Sequence, residues 1–170
     1  MSKEIVNRVA KSKVKTFDLE EFYPLGERTI IDIKQWLYQG LILKEADFRE
    51  FLKVHDWSLY QDNYIALSCS SDAIVPSWAY MLITTYITPF AKKVVVGDLK
   101  ALETSIFQEI INQIDIEECR NRPVIIKGCA NKPIPETAYS HLVERLQPVA
   151  GSILFGEPCS TVPLFKRSSR

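Results

Sequence analysis

The sequence has no excess of charge of either sign: 21 Lys plus Arg balance 21 Asp plus Glu, a formal net charge of zero. Nucleic-acid binding draws on surplus Lys and Arg against phosphates, so a dedicated nucleic-acid binder is excluded. There is no GxGxxG and no Walker sequence, which removes the usual cradles for dinucleotides and nucleoside triphosphates. The four cysteines never form a CxxC pair, so no zinc knuckle is present. No apolar run opens the chain, because Lys3, Glu4, Arg8, Lys11, Lys13 and Lys15 interrupt it, and the absence of a secretory signal points to the cytoplasm. There, cysteines are thiols or metal ligands and not disulfides. Nothing of low complexity and no long linker divides the sequence, so it reads as a single domain over residues 1–170, with a polar arm at 1–15 and a basic tail at 164–170.

One uncharged stretch does stand out, Ala73 to Ala91. It mimics a membrane span, but Pro76 and Pro89 bracket a helix of roughly 13 residues, about 20 Å against the roughly 30 Å of a hydrocarbon core. The membrane reading fails on length. What is left is a helix covered on both sides by its own chain or buried against another subunit, which makes it a homodimer face.

That helix belongs to a repeat. Residues 64–98 and 123–157 each run from a short apolar segment ending in cysteine through a polar loop, a Pro, an Ala-Tyr pair, a second Pro, an Ala, a second apolar run, and then Gly and an acid. From Pro76 the offsets to Ala79, Tyr80, Pro89, Ala91 and Gly97 equal those from Pro135 to Ala138, Tyr139, Pro148, Ala150 and Gly156. This is the grammar of a βαβ unit. The fold class that follows is α/β: an open, largely parallel sheet built from two βαβ repeats joined by a helix, with an N-terminal strand and helix extension.

The joining helix starts at Asp98 and carries the stripe Leu99, Leu102, Ile106, Ile110 and Ile114. Upstream, Phe48, Phe51, Leu52 and His55 define an amphipathic helix by their i, i+3, i+4, i+7 spacing. TFDLEEF alternates as a half-buried strand, and RTIIDIKQWLYQG suits either a strand or a capped short helix. The C-terminal VPLFKRSSR leaves as an extended end.

Ligands of open parallel sheets collect at the carboxyl ends of the strands, where Cys69 and Cys129 each close one strand and Cys159 follows another. With His55 they have the composition of a Cys3His site for zinc, and iron is not excluded by the ligand types. The competing readings are cysteines packed as small hydrophobes and a reactive thiol at a helix N-terminus, for which His141 is the available base. Cys119, among the charges of IEECRNR, reads as an exposed bystander. A further use of the same sheet end is a small-molecule or anion site built from the helix N-terminal loops 70–76 and 130–135, lined by Ser70, Ser71, Asp72, Asn131 and Lys132. A third class is a structural homo-oligomer that pairs through the uncharged helix. No motif fixes a reaction.

The strings LILKEADFREFLKVHDWSLY, SSDAIVPSWAYML and GEPCSTVPLFK resemble a bacterial family known as domain of unknown function number 2480, along almost the whole chain. The matching residues are His55, Asp56, Trp57, Cys69, Asp72, Pro76, Trp78, Glu157, Pro158, Cys159 and Ser160. The resemblance implies a soluble intracellular bacterial protein and transfers no role to any residue.

Overall fold

A computed structural model describes residues 14–128, 131–157 and 159–168. The α/β reading holds, and the strands run largely parallel, but they form two sheets. β1 (Lys15–Phe17), β5 (Pro123–Ile126), β6 (Ser152–Glu157) and β7 (Ser160–Lys166) make one, in the order β1-β5-β6-β7. β2 (Arg28–Asp32), β3 (Tyr64–Ser68) and β4 (Lys93–Val96) make the other, in the order β2-β3-β4. Every pairing is parallel except β6 with β7.

The chain divides into two compact units, an inner one over Pro24–Ile106 and an outer one made of Met1–Tyr23 and Phe107–Arg170. Each sheet lies in one unit. The change of unit falls inside a continuous helix, α3 (Leu99–Gln113), so no linker marks it.

The repeat runs through both units at a constant offset of 59 residues. Tyr64 and Pro123 open β3 and β5, Ser77 and Glu136 open α2 (Ser77–Ile87) and α4 (Glu136–Leu146), and Lys93 and Ser152 open β4 and β6. Buried Ala79, Ile83 and Ile87 of α2 match buried Ala138, Leu142 and Leu146 of α4. The match reaches further back than the sequence repeat. α1 (Glu45–Val54) buries Phe48 and Leu52, and α3 buries Phe107 and Ile111 at the same offset. Asp62 and Asn121 both take a left-handed backbone, φ 61° and 58°, and donate their N–H groups to Phe90 O and Val149 O. Two short-chain polar residues at a matching position of each copy fit the low cost of positive φ for Asn and Asp.

A second, shorter correspondence links the first strands. β1 and β2 each bury their last apolar residue, Phe17 or Ile31, then continue with an Asp that caps a 3-10 turn, Leu19–Phe22 or Ile33–Trp36. Both units therefore have the plan strand, 3-10 turn, helix, strand, helix, strand. The inner copy is inserted between the first strand and the first helix of the outer one.

Each unit closes its own core on the helix side of its sheet. The outer core gathers Phe17, Leu19, Phe107, Ile111, Val124, Ile126, Leu142 and Ile153; the inner one gathers Ile31, Trp36, Phe48, Leu52, Trp57, Ile65, Leu67 and Ile83. Fully burying one such aliphatic side chain is worth about 1.5–3 kcal/mol. The α1 stripe is narrower than its spacing predicts, because Phe51 is 48% exposed. In α3 the buried set is Leu102, Ile106, Phe107 and Ile111, with Leu99 exposed and Ile110 half-buried. Cys119 is fully buried and not an exposed bystander: the 3-10 turn Glu117–Cys119 sends Glu117 outward to Arg120 and the thiol inward. The tail does not simply leave either, since Ser160–Lys166 returns as β7. The arm falls outside the described residues up to residue 13, and Lys15 already belongs to β1.

Candidate functional site

The carboxyl end of the inner sheet is tied together by Asp32. Its carboxylate accepts the Lys34 N–H at 3.0 Å, the Ser70 N–H at 3.1 Å and the Ser70 hydroxyl at 2.6 Å. Burial alone raises such a carboxyl, but the Ser70 and Lys34 donors outweigh it and hold Asp32 below its usual range. The outer unit has a looser version. Asp18 accepts the Glu20 N–H at 3.0 Å and the Lys127 ammonium at 3.1 Å, while the Glu20 side chain takes the Asn131 N–H and its carbonyl accepts Lys132 Nζ at 2.9 Å.

Both loops proposed to hold an anion are thus folded back onto acidic residues of their own unit. Ser70 gives its N–H and its hydroxyl to one carboxylate, and Asn131 gives its N–H to another. The arrangement ties the loops down and engages these donors within the chain, at its surface.

Beside the Asp32 clamp the inner unit carries an open groove of about 670 Å³, between the loop after β3 and the starts of α1 and α2. Leu41, Ile42, Leu43, Ala73, Ile74, Pro76 and Trp78 supply an apolar lining, and Glu45 and Asp72 the only charges. A tight turn builds one wall. Gln39 and Gly40 both have positive φ, 51° and 70°, and the Tyr38 N–H donates to Ile42 O at 2.8 Å, which pushes Leu41 and Ile42 outward to 56% and 55% exposure. Ile74 on the other wall is 93% exposed. Trp78 packs edge-on against Phe48 with Arg49 over its ring at 5.5 Å, and Arg49 also bonds Glu45 at 2.9 Å. Of the residues proposed from sequence, Asp72 lines this groove. Leu41 and Ile42 were not singled out, although consecutive apolar residues after a Gln-Gly turn are a readable signal.

The four metal candidates are placed as follows. His55 ends α1 and sits in an aromatic cluster, 4.6 Å from the Trp57 ring, 5.3 Å from Trp36 and stacked on Tyr60 at 5.7 Å, with Nε2 at 3.0 Å from the Tyr60 hydroxyl. Burial lowers its pKa, and neighbouring Asp56 partly offsets this. Cys69 is half-buried after the last residue of β3, its Sγ 3.4 Å from the Ser71 hydroxyl. His55 precedes β3 and Cys69 follows it, toward opposite ends of a strand that spans roughly 16 Å. Cys159 is exposed beside the β6–β7 turn. Cys129 lies outside the described residues. Among the described residues, no group of three or more His, Cys, Asp or Glu is placed to hold a metal ion.

The repeat also revises the equivalence of the cysteines. At the offset of 59, Cys69 matches Gly128, and Cys129 matches Ser70. β3 and β5 lie in different sheets, so the two cysteine-bearing strands do not pair. Gly128 admits the Phe155 ring, which any Cβ there would strike, and the inner counterpart of Phe155 is the smaller Val96. Cys69 with Val96 thus stands where the outer unit has Gly128 with Phe155, an exchange of volumes that suits a packing role for Cys69. His141 is bonded to Asn112 at 2.9 Å and approaches Glu144 at 3.7 Å. No described helix is long and apolar enough to cross a membrane.

Fold and groove together define a duplicated α/β protein with parallel sheets and an apolar, acid-edged cleft at the carboxyl end of one of them. The chain belongs to the family described as Protein of unknown function (DUF2480), which matches residues 3–167. No curated protein and no solved structure matches it.

Proposed function

We propose that the chain is a small-molecule-binding module whose ligand lies in the inner groove, and that the ligand is an apolar molecule bearing a basic amine. The observation that carries this reading is the lining: seven apolar residues with Glu45 and Asp72 as the only charges, at the strand ends where α/β sheets hold ligands. A volume of about 670 Å³ suits a small organic molecule. Glu45 is shared with Arg49, which leaves Asp72 as the carboxylate for a ligand ammonium. The Asp32 clamp keeps the loop that bears Asp72 ordered before binding, which lowers the entropic cost of capture.

Three chain-matched probes test it: octylamine, octanol and octanoate, followed by tryptophan emission with Trp78→Phe as the control for location. Octylamine should saturate, bind more tightly than octanoate, and weaken about two- to fivefold in Asp72→Asn, the scale of an exposed ion pair. Equal or tighter octanoate binding, or no saturable signal lost in Trp78→Phe, would overturn the proposal.

A second reading keeps metal binding, by zinc or iron, and it draws on the exposed thiol of Cys159. An X-ray fluorescence scan of protein purified without added metal decides it. A stoichiometric edge lost in Cys159→Ser supports it, and less than about a tenth of an equivalent rejects it.

A further inference from the structure

The two copies of the repeat differ most at one edge. In the outer sheet β6 is covered along its whole length by antiparallel β7, from Ser152 opposite Lys166 to Glu157 opposite Ser160. Its inner counterpart, β4, is paired among the described residues on one side only, by β3. The same contrast appears beside the strands. The outer groove between α4 and β6, about 320 Å³, is lined by Tyr139, Ser140, Val143 and Phe155, with Leu164 of β7 contributing to its wall. The inner groove at the matching place, about 490 Å³, is lined by Ser77, Tyr80, Met81, Thr84 and Val96, with no strand beyond β4 among the described residues.

We propose that this edge pairs antiparallel with the same edge of a second copy of the chain, making one six-stranded sheet from two inner sheets. The seat is shaped for an antiparallel strand, since that is what its duplicate holds. Two identical edges related by a two-fold axis perpendicular to the sheet can meet only antiparallel. Centred on Val95, that pairing sets Val94 against Val96 of the other copy, with Lys92, bonded to Leu25 O at 2.9 Å, and Asp98, whose carboxylate caps the Ala101 N–H at 2.8 Å, just beyond the paired residues.

Among the described residues the other edges are protected and this one is not. β1 is only three residues long and carries Lys15, β2 is bounded by Arg28 and Asp32, and β7 carries Pro163 with a register shift facing Ile153/Leu154. Short length, charge, proline and bulges are how sheet edges resist pairing. β4 reads Lys93 and then three valines. A two-fold axis perpendicular to the sheet keeps the helix faces of both copies on one side, so the two α2 helices come alongside each other. α2 carries no charged residue, whereas α4 carries Glu136, His141, Glu144 and Arg145. Met81, 66% exposed, and Val96, 57% exposed, are then covered. A net charge of zero removes long-range repulsion between copies.

Light scattering coupled to size exclusion, between about 1 and 100 µM, should give twice the 19.5 kDa of one chain, with dissociation on dilution if Kd lies in that range. Val96→Lys and Met81→Glu, each checked for native circular dichroism, should weaken association more than about tenfold by placing a charge from each copy in the apolar seam. In a Cys159→Ser background, Val95→Cys should form a disulfide-linked dimer under mild oxidation, while Ile30→Cys on β2 should not. A monomer throughout the range, a dimer indifferent to both charge variants, or cross-linking at residue 30 and not at 95 would overturn the proposal. Recovery of a monomer with a foreign strand on the edge counts the same way.

Discussion

Glu103 is the sharpest place to perturb the inner unit. It is the one buried charged residue among those described, 8% exposed, and its Oε1 accepts Arg28 Nε at 2.7 Å. The guanidinium also donates to Pro24 O and Gly26 O, at 2.8 Å and 2.6 Å, and lies 4.7 Å from the centre of the Tyr64 ring. Removing one partner of a buried pair leaves a desolvated charge, typically about 3–5 kcal/mol. Arg28 keeps two carbonyls and a ring, so Glu103→Ala should fall near the lower bound, about 3 kcal/mol. Glu103→Gln retains an oxygen acceptor for Nε and should lose about 1–2 kcal/mol. The double change Arg28→Met with Glu103→Leu removes both charges and should lie within about 1 kcal/mol of the parent or above it. The assay is unusually clean, because Trp36, Trp57 and Trp78 all lie in the inner unit, so tryptophan emission during urea unfolding reports that unit alone. A Glu103→Ala variant within about 0.5 kcal/mol of the parent, or a double variant as unstable as the single one, would refute the account.

Two further predictions rest on titrating groups. Burial holds folded His55 below the unfolded value of about 6.5, so the unfolded chain takes up its proton first. Its stabilisation is complete above that value and is lost as pH falls through it toward the folded pKa; the parent should lose stability between pH 7.5 and 5 relative to His55→Phe, and a loss on raising the pH instead would contradict the sign. Cys119 is fully buried with its thiol pushed up by that burial, while Cys159 is exposed. Alkylation mapped by mass spectrometry should therefore modify native Cys159 readily and Cys119 only after unfolding. Protection of Cys159 that a chelator lifts is instead what the metal reading requires.

The parts of the fold legible in the sequence are those that local pattern controls. Pro76 and Pro135 with the Ala-Tyr pairs fixed both α2 and α4, and the runs at 64–68 and 123–126 read as buried strands because parallel strands are apolar on both faces. RTIIDIKQW looked ambiguous because both readings apply in turn, a strand to Asp32 and then a turn capped by it. TFDLEEF misled for a related reason: the strand stops at Phe17, and the later alternation belongs to an Asp18-capped turn.

The unit boundary was hidden because it falls within α3, where helix propensity and periodicity continue unbroken. Cys119 looked exposed from its charged neighbours, whereas a three-residue period separates it from them. The groove escaped notice because it depends on the Gln39–Gly40 turn and the loop at 72–76 coming together, a relation between segments some thirty residues apart. Asp72 was named for its loop; its partners Leu41 and Ile42 carried no chemistry to attract attention.

The nested arrangement sets an order on folding. β1 must find β5, with Phe17 opposite Ile126, and closing so long a stretch as free chain costs on the order of 4 kcal/mol in loop entropy. The inner unit supplies the shortcut. Arg28 stands four residues after its first residue and Glu103 three before its last, so their ion pair holds the two places where the chain passes into and out of the inner copy. Once the inner copy has folded, the distant halves of the outer one are separated by a short effective loop, and the later copy inherits a contact order far below the one its sequence separation implies.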